Sequence, residues 1–225
     1  MRLNNELIVF DLEATSNQED EGERPAVQTN NFIIEIGAAF LDRDLKLVDT
    51  FERLVRPEEP ITPFITKITS ITPEMCQGQP LWKEIAPAFE VWIKSHCDNI
   101  KRVRLAAWGT YFDMPLLRRT YARYERPFPF SGTCIDVKTL SLLWAALSGR
   151  RTDKLGVETV ASAMGVQPEG RYHRALTDAV TEAKILQRIF ADLEGGFFLP
   201  GLPGKQRPYF RLEKPLEEAA PHRSA

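Results

Sequence analysis

The stretch Leu7–Glu13, LIVFDLE, sets an apolar, β-branched run directly against two carboxylates. Leu7–Leu12 reads as a buried strand. Side chains two apart on a strand share a face, so Asp11 and Glu13 project together where the strand ends. Two anions held side by side repel unless a cation lies between them. Oxygen-only donors of this kind suit Mg²⁺ or Mn²⁺. The same residues also fit a plain strand end exposed to water.

Around this strand the chain alternates between β and α patterns. Phe32–Leu41 (FIIEIGAAFL) and Leu45–Val55 (LKLVDTFERLV) read as strands joined through Asp42-Arg43-Asp44 as a hairpin, so the sheet begins antiparallel. Thr62-Pro63 and Thr72-Pro73 are N-cap and first-turn signals for two short helices. Leu81–Ser95 has helical apolar spacing. Val103–Trp108 reads as a strand, Met114–Tyr124 as a helix and Thr133–Val137 as a strand. Leu140–Leu147, Val157–Met164 and Ala175–Leu193 read as helices. Strands mixed with helices in this order indicate an α/β sheet domain. Ser16–Asn31 reads as a long polar, acidic surface loop. The expected organisation is one domain over 1–194 and an extended Pro-, Gly- and charge-rich tail over 195–225.

Composition bounds the function. The chain has 225 residues, 43% hydrophobic and 27% charged, which is enough for a sizeable core and argues against a disordered chain. A net charge of −2 excludes wrapping nucleic acid by bulk charge, though not a local basic surface. Residues 1–25 carry two basic and seven acidic groups, whereas residues 101–154 carry eleven basic and four acidic. That asymmetry fits a cation site beside an anion-binding surface, or two solvated faces that never meet. Cys76, Cys97 and Cys134 form no CxxC pair, so free thiols in a reducing compartment are expected. Neither a secretory leader pattern nor an apolar run of about 18 residues occurs, so a cytoplasmic, soluble protein without membrane contact is expected.

Two further features carry chemistry. Asp113 follows VRLAAWGTYF, a strand and a Gly turn, and opens a helix, where a simple N-cap role is the ordinary alternative. His173-Arg174-Ala175-Leu176-Thr177-Asp178 places a histidine five residues before a carboxylate. On an ideal helix the two diverge. A histidine in the preceding loop can instead fold back over Asp178. A lone surface histidine and a solvated aspartate are the ordinary alternatives. Glu35 and Asp136 lie in strand patterns with no assigned role, and Trp108 reads as packing.

Taken in order, strand-DxE, Asp at a strand-to-helix turn and HxxxxD on the last long helix, the chain from about Leu7 to Leu193 resembles the DEDDh 3′→5′ exonucleases. Arg56–Met75 (RPEEPITPFITKITSITPEM) is similar to the segment holding a TGIT element in the ERI-1-like and KapD-like branch. Ser70 stands where that element usually has Gly, and Thr177 where an acidic residue often precedes the last Asp. The resemblance implies a ribonuclease H-like fold, a mixed five-stranded sheet with helices on both faces. It implies Asp11, Glu13, Asp113 and Asp178 as ligands of two divalent ions, Mg²⁺ or Mn²⁺, in a two-metal hydrolysis. It implies His173 as general base, with Glu13 also at the reaction centre.

By the same resemblance Ala14, Thr15 and Ile68 contact the terminal nucleotide. Phe112 is a stacking platform, worth about 1–3 kcal/mol per base. Core packing is the equal alternative for Ile68 and Phe112. Arg118, Arg119, Arg123, Arg150 and Arg151 are candidates to track phosphates, or simply solvate helices. The expected partner is a single-stranded nucleic-acid 3′ end, with RNA favoured and a proofreading-type DNA exonuclease as the alternative. A non-cutting binding module on the same fold and an α/β protein with chance carboxylates rank behind, because all five DEDDh groups are present.

Overall fold

The computed structural model describes residues 2–16 and 31–195. Most of the acidic loop and nearly all of the tail (17–30 and 196–225) lie outside the described residues. The elements are β1 (Leu7–Ala14), β2 (Ile33–Leu41), β3 (Leu47–Leu54), α1 (Pro63–Thr69), α2 (Pro73–Gln77), α3 (Trp82–Lys94), β4 (Arg104–Ala107), α4 (Asp113–Arg123), β5 (Cys134–Asp136), α5 (Val137–Leu147), α6 (Val157–Met164) and α7 (Ala175–Gly195). One sheet has the order β3-β2-β1-β4-β5. β1 pairs antiparallel with β2 and parallel with β4, and β4 runs parallel to β5. The three parallel strands therefore end on one side, the side where α/β sheets place ligands.

Strand alternation divides the core into two layers. Ile8, Phe10 and Leu12 of β1 pack with Trp82, Phe89, Leu116 and Tyr121 of α3 and α4. Leu7 and Val9 face the opposite way and pack with Trp144, Val160, Ile185 and Leu186 of α5, α6 and α7. Asp11 and Glu13 continue that second face by the two-residue period, so they emerge toward α7. A third, smaller cluster joins Ile34 to Ile61, Ile65 and Ile71 around α1 and α2. The mixed sheet with helices on both faces is the ribonuclease H-like arrangement.

Element ends differ from the sequence expectation by a few residues. The β2–β3 turn spans Asp42–Lys46, because Asp42 Oδ1 accepts from the N–H groups of both Asp44 and Lys46 at 2.9 Å and Leu45 takes φ 61°. α5 begins at Val137 rather than Leu140, because Asp136 caps it by accepting from Thr139 N–H at 3.0 Å. α1 ends at Ser70 with φ 61°. That left-handed position suits glycine, which gives the expected Ser-for-Gly departure a local cost.

Gly37 positions the last helix. It pairs with Asp11 across the β1–β2 ladder. A Cβ at Gly37 would sit 2.1 Å from the Ala175 carbonyl carbon and the Leu176 nitrogen. The start of α7 thus rests directly on the β2 backbone, opposite the first catalytic candidate.

Candidate active site

Asp11, Glu13, Asp113, His173 and Asp178 all line one cleft of about 550 Å³ at the carboxyl ends of β1 and β4. Each arrives by a different local device. Asp11 and Glu13 come from the end of β1, where the pairing with β2 shifts register between Glu13 and Ala14. Such irregularities re-aim side chains beside active sites. Asp113 is the first residue of α4, and the cap position falls on Phe112, so the simple N-cap alternative does not hold. Its Oδ1 accepts from Leu12 N–H at 3.2 Å, which ties α4 to β1 between the two strand carboxylates. Gly109, with φ 70°, allows the turn from β4 that delivers this helix.

His173 lies in the loop before α7, the placement that lets it fold back toward Asp178, and has φ 60°. Histidine tolerates that region better than most residues. The contact to Asp178 runs through the main chain: His173 N–H donates to Asp178 Oδ2 at 2.8 Å. This leaves the exposed imidazole available to the cleft. Ligand atoms of Glu13, His173 and Asp178 lie within 4.8 Å of one another.

Arg174 holds this loop. Its guanidinium forks onto Glu35 of β2, with Nε 3.0 Å from Oε1, and Ala175 N–H donates to Glu35 Oε2 at 2.8 Å. Glu35 is wholly buried and pairs in register with Glu13. The residue without an assigned role in the sequence is thus the anchor of the histidine loop. Arg174→Ala would leave the Glu35 charge buried without its cation. We expect a loss of about 3 kcal/mol by urea unfolding, against no more than 0.5 kcal/mol for an ordinary surface change.

Among the described residues, six carboxylates and no lysine or arginine line the cleft. Burial is the main cause that pushes Glu13 up to about 8, with Asp178, Glu35 and Asp113 adding repulsion. Burial likewise raises Asp113 to about 7, against a lowering hydrogen bond from Leu12. Asp178 rises to about 6 by burial, partly opposed by the His173 N–H. Asp11 is held well above its ordinary value by burial, then by Asp113 and Glu13. Asp178 Oδ1 is buried without a hydrogen-bond partner. Oxygen donors with an adjoining imidazole and no competing protein cation fit a hard divalent ion.

The other expected contacts divide. Phe112 lines the cleft at 41% exposure, which settles its placement against core packing. Ala14, Thr15 and Ile68 are not among the lining residues. The Thr15 hydroxyl accepts from Phe32 N–H at 2.9 Å, so it serves to close the sheet. Ile68 is half-buried on α1 and belongs to none of the three apolar clusters. No arginine of the expected phosphate track lines the cleft. Arg118 donates to the Gly132 carbonyl, Arg123 covers the Phe32 ring at 3.9 Å, Arg150 lies over Trp144, and Arg151 pairs with Asp153. Sequence reasoning missed Tyr111, 77% exposed at the rim, and Glu182 at the cleft's inner end. The signal for Glu182 was its place four residues after Asp178, on the same helix face.

Residues 8–186 match the family model described as Exonuclease. The chain belongs to the DEDDh 3′→5′ exonuclease family. Among curated relatives it is 31% identical, over 195 residues, to a DNA polymerase III PolC-type of Caldanaerobacter subterraneus subsp. tengcongensis, covering 85% of this chain and 12% of that protein. It is 30% identical to the 3′-5′ exonuclease DinG of Staphylococcus epidermidis, covering 83% of this chain and 18% of that one. The chain therefore corresponds to a small part of each of these relatives. Its fold matches the nuclease domain of 3′hExo, a DEDDh family member bound to rAMP, with TM-score 0.70 and 21% identity over 84% of this chain and 92% of that one. It also matches Exonuclease X in complex with 5′ overhanging duplex DNA, with TM-score 0.56 and 23% identity over 82% and 91%. Among the described residues no helix is long and apolar enough to cross a membrane.

Proposed function

We propose that this exonuclease removes nucleotides one at a time from a single-stranded 3′ end, releasing nucleoside 5′-monophosphates. The observation that carries the reading is the convergence of Asp11, Glu13, Asp113, Asp178 and His173 on one cleft. Asp11, Glu13, Asp113 and Asp178 would hold two divalent ions, Mg²⁺ or Mn²⁺. When bound, those ions neutralise charge at the scissile phosphate and acidify the attacking water.

The chain's own groups account for the rest. The water oxygen bonds to the terminal phosphorus, and the bond from that phosphorus to the 3′-oxygen of the penultimate nucleotide breaks, its electron pair passing to that oxygen, which takes a proton from solvent to leave a 3′-hydroxyl. His173, exposed at the cleft beside Glu13 and Asp178, takes the water proton. Asp178 fixes the histidine loop by accepting its main-chain N–H. Phe112 and Tyr111 offer ring faces at the cleft rim for the terminal bases. With no lysine or arginine among the described residues lining the cleft, substrate phosphate is held there only once the carboxylates are neutralised.

Two substrate readings each have an observation behind them. The Arg56–Met75 segment, with its resemblance to ERI-1-like enzymes, supports RNA. The PolC-type and DinG relatives support DNA. End-labelled RNA and DNA of one sequence, incubated with Mg²⁺, Mn²⁺ or EDTA, test the proposal. A metal-dependent ladder shortening from the 3′ end is expected, and the rate ratio chooses the substrate. Binding without shortening under either metal would replace the enzyme with a non-cutting module. His173→Ala is expected to lower kcat by about 10²–10⁴-fold, the usual worth of a general base. KM should change little, and equal losses in kcat and affinity would make His173 a substrate-binding group instead.

A further inference from the structure

Asp178 and Glu182 lie one helical turn apart on α7 and face the same cleft. Only the first belongs to the five-residue constellation. Glu182 is 1% exposed. Neither of its carboxylate oxygens has a hydrogen bond of ordinary geometry, and the Trp108 main-chain N–H offers partial electrostatic relief alone. Its charged neighbours include Asp113, Asp178, Asp136 and Asp11, all of the same sign.

A carboxylate in that position is costly as a packing group. Thr181, Ala183, Ile185 and Leu186 beside it on α7 are buried, so an apolar side chain would suit the site better. What Glu182 adds over such a residue is oxygen donors in a cleft lined by no lysine or arginine among the described residues. We propose that Glu182 is a further carboxylate of the divalent-cation site, on its Asp113 side, beyond the four of the DEDDh set. This rests on the reading of the cleft as a cation site, and it makes Glu182 a determinant of how tightly that site loads.

The test is isothermal titration of the full chain with Mn²⁺, beside thermal unfolding in EDTA. Glu182→Gln keeps the shape and removes the charge. Its Mn²⁺ affinity is expected to fall by about 10–100-fold, the range seen when groups supporting a metal site are lost. Its metal-free Tm should equal or exceed that of the wild type, because a repelled buried charge has gone. Glu182→Met, apolar and unbranched, should do the same, and it decides the matter by the same criterion if the Gln variant fails to fold. Mn²⁺ affinity within twofold of the wild type in the folded variant overturns the proposal. Asp11→Asn separates the two levels of inference. If it loses Mn²⁺ while the Glu182 variants keep it, Glu182 is no ligand and the cation site stands. If all three variants bind as the wild type does, both the proposal and the cation site fall.

Discussion

Asp11→Asn is expected to abolish hydrolysis and, in the absence of metal, to make the protein more stable. Asp11 sits half-buried in the carboxylate cluster, raised first by desolvation and then by repulsion from Asp113, Glu13, Glu182 and Asp178. An isosteric amide removes that repulsion without opening a cavity. Metal-free Tm should therefore rise by a few degrees, at about 2–4 °C per kcal/mol for a domain of this size. On the proposed function the same change removes an anionic ligand where charge must be neutralised during hydrolysis. A loss in kcat of at least about 10²–10³-fold is expected, the usual effect of deleting one electrostatic stabiliser. Lower activity with lower stability would point to simple structural damage. Full activity would remove Asp11 from the site altogether.

The second large effect is a reversal of the usual pH dependence. Glu13, Asp113 and Asp178 have values raised to about 8, about 7 and about 6 in the folded chain. The unfolded carboxyls titrate near pH 4. Between these limits the folded state binds more protons than the unfolded one. The slope of unfolding free energy against pH is then negative, so metal-free stability falls as pH rises from about 4 to about 8. Asp178 alone accounts for about 3 kcal/mol, a large share of a typical 5–15 kcal/mol. Saturating Mg²⁺ or Mn²⁺ should flatten the slope, since a ligand at 100 times its Kd adds about 2.7 kcal/mol. Chemical denaturation in EDTA at pH 5 and pH 8, repeated with each metal, measures both effects. Stability in EDTA that is level or rising across this window would show that the carboxylates are not forced together. Asp49, lowered mainly by its hydrogen bond from Trp92, acts below this window and does not confuse the result.

The constellation was legible because its members obey short-range rules. Asp11 and Glu13 share a face by the strand period, and Asp113 sits at a strand-to-helix turn. The five-residue gap from His173 to Asp178 lets the two meet if the histidine precedes the helix. The roles of Glu35 and Asp136 are not legible in the sequence, because each has a partner far along the chain: Arg174 for Glu35 and the Thr110 N–H at 3.3 Å for Asp136. The arginine-rich stretch misled in the opposite direction. Its charges looked available, yet Arg118, Arg123, Arg150 and Arg151 are engaged with carbonyls, rings or a carboxylate of the protein itself.

By itself the sequence determined the α/β class and the antiparallel start of the sheet, and it singled out the five candidate groups. Periodicity, caps and turns act within a few residues, and those groups sit at the ends of such elements. Only the tertiary structure decided that the Gly37 backbone seats α7, that Glu35 and Arg174 hold the histidine loop, and that Glu182 joins the cleft. Each depends on which face of one element meets another across the sheet. Helical spacing shows that Asp178 and Glu182 share a face, but only packing against β1 and β2 determines that this face is buried and turned toward Asp11.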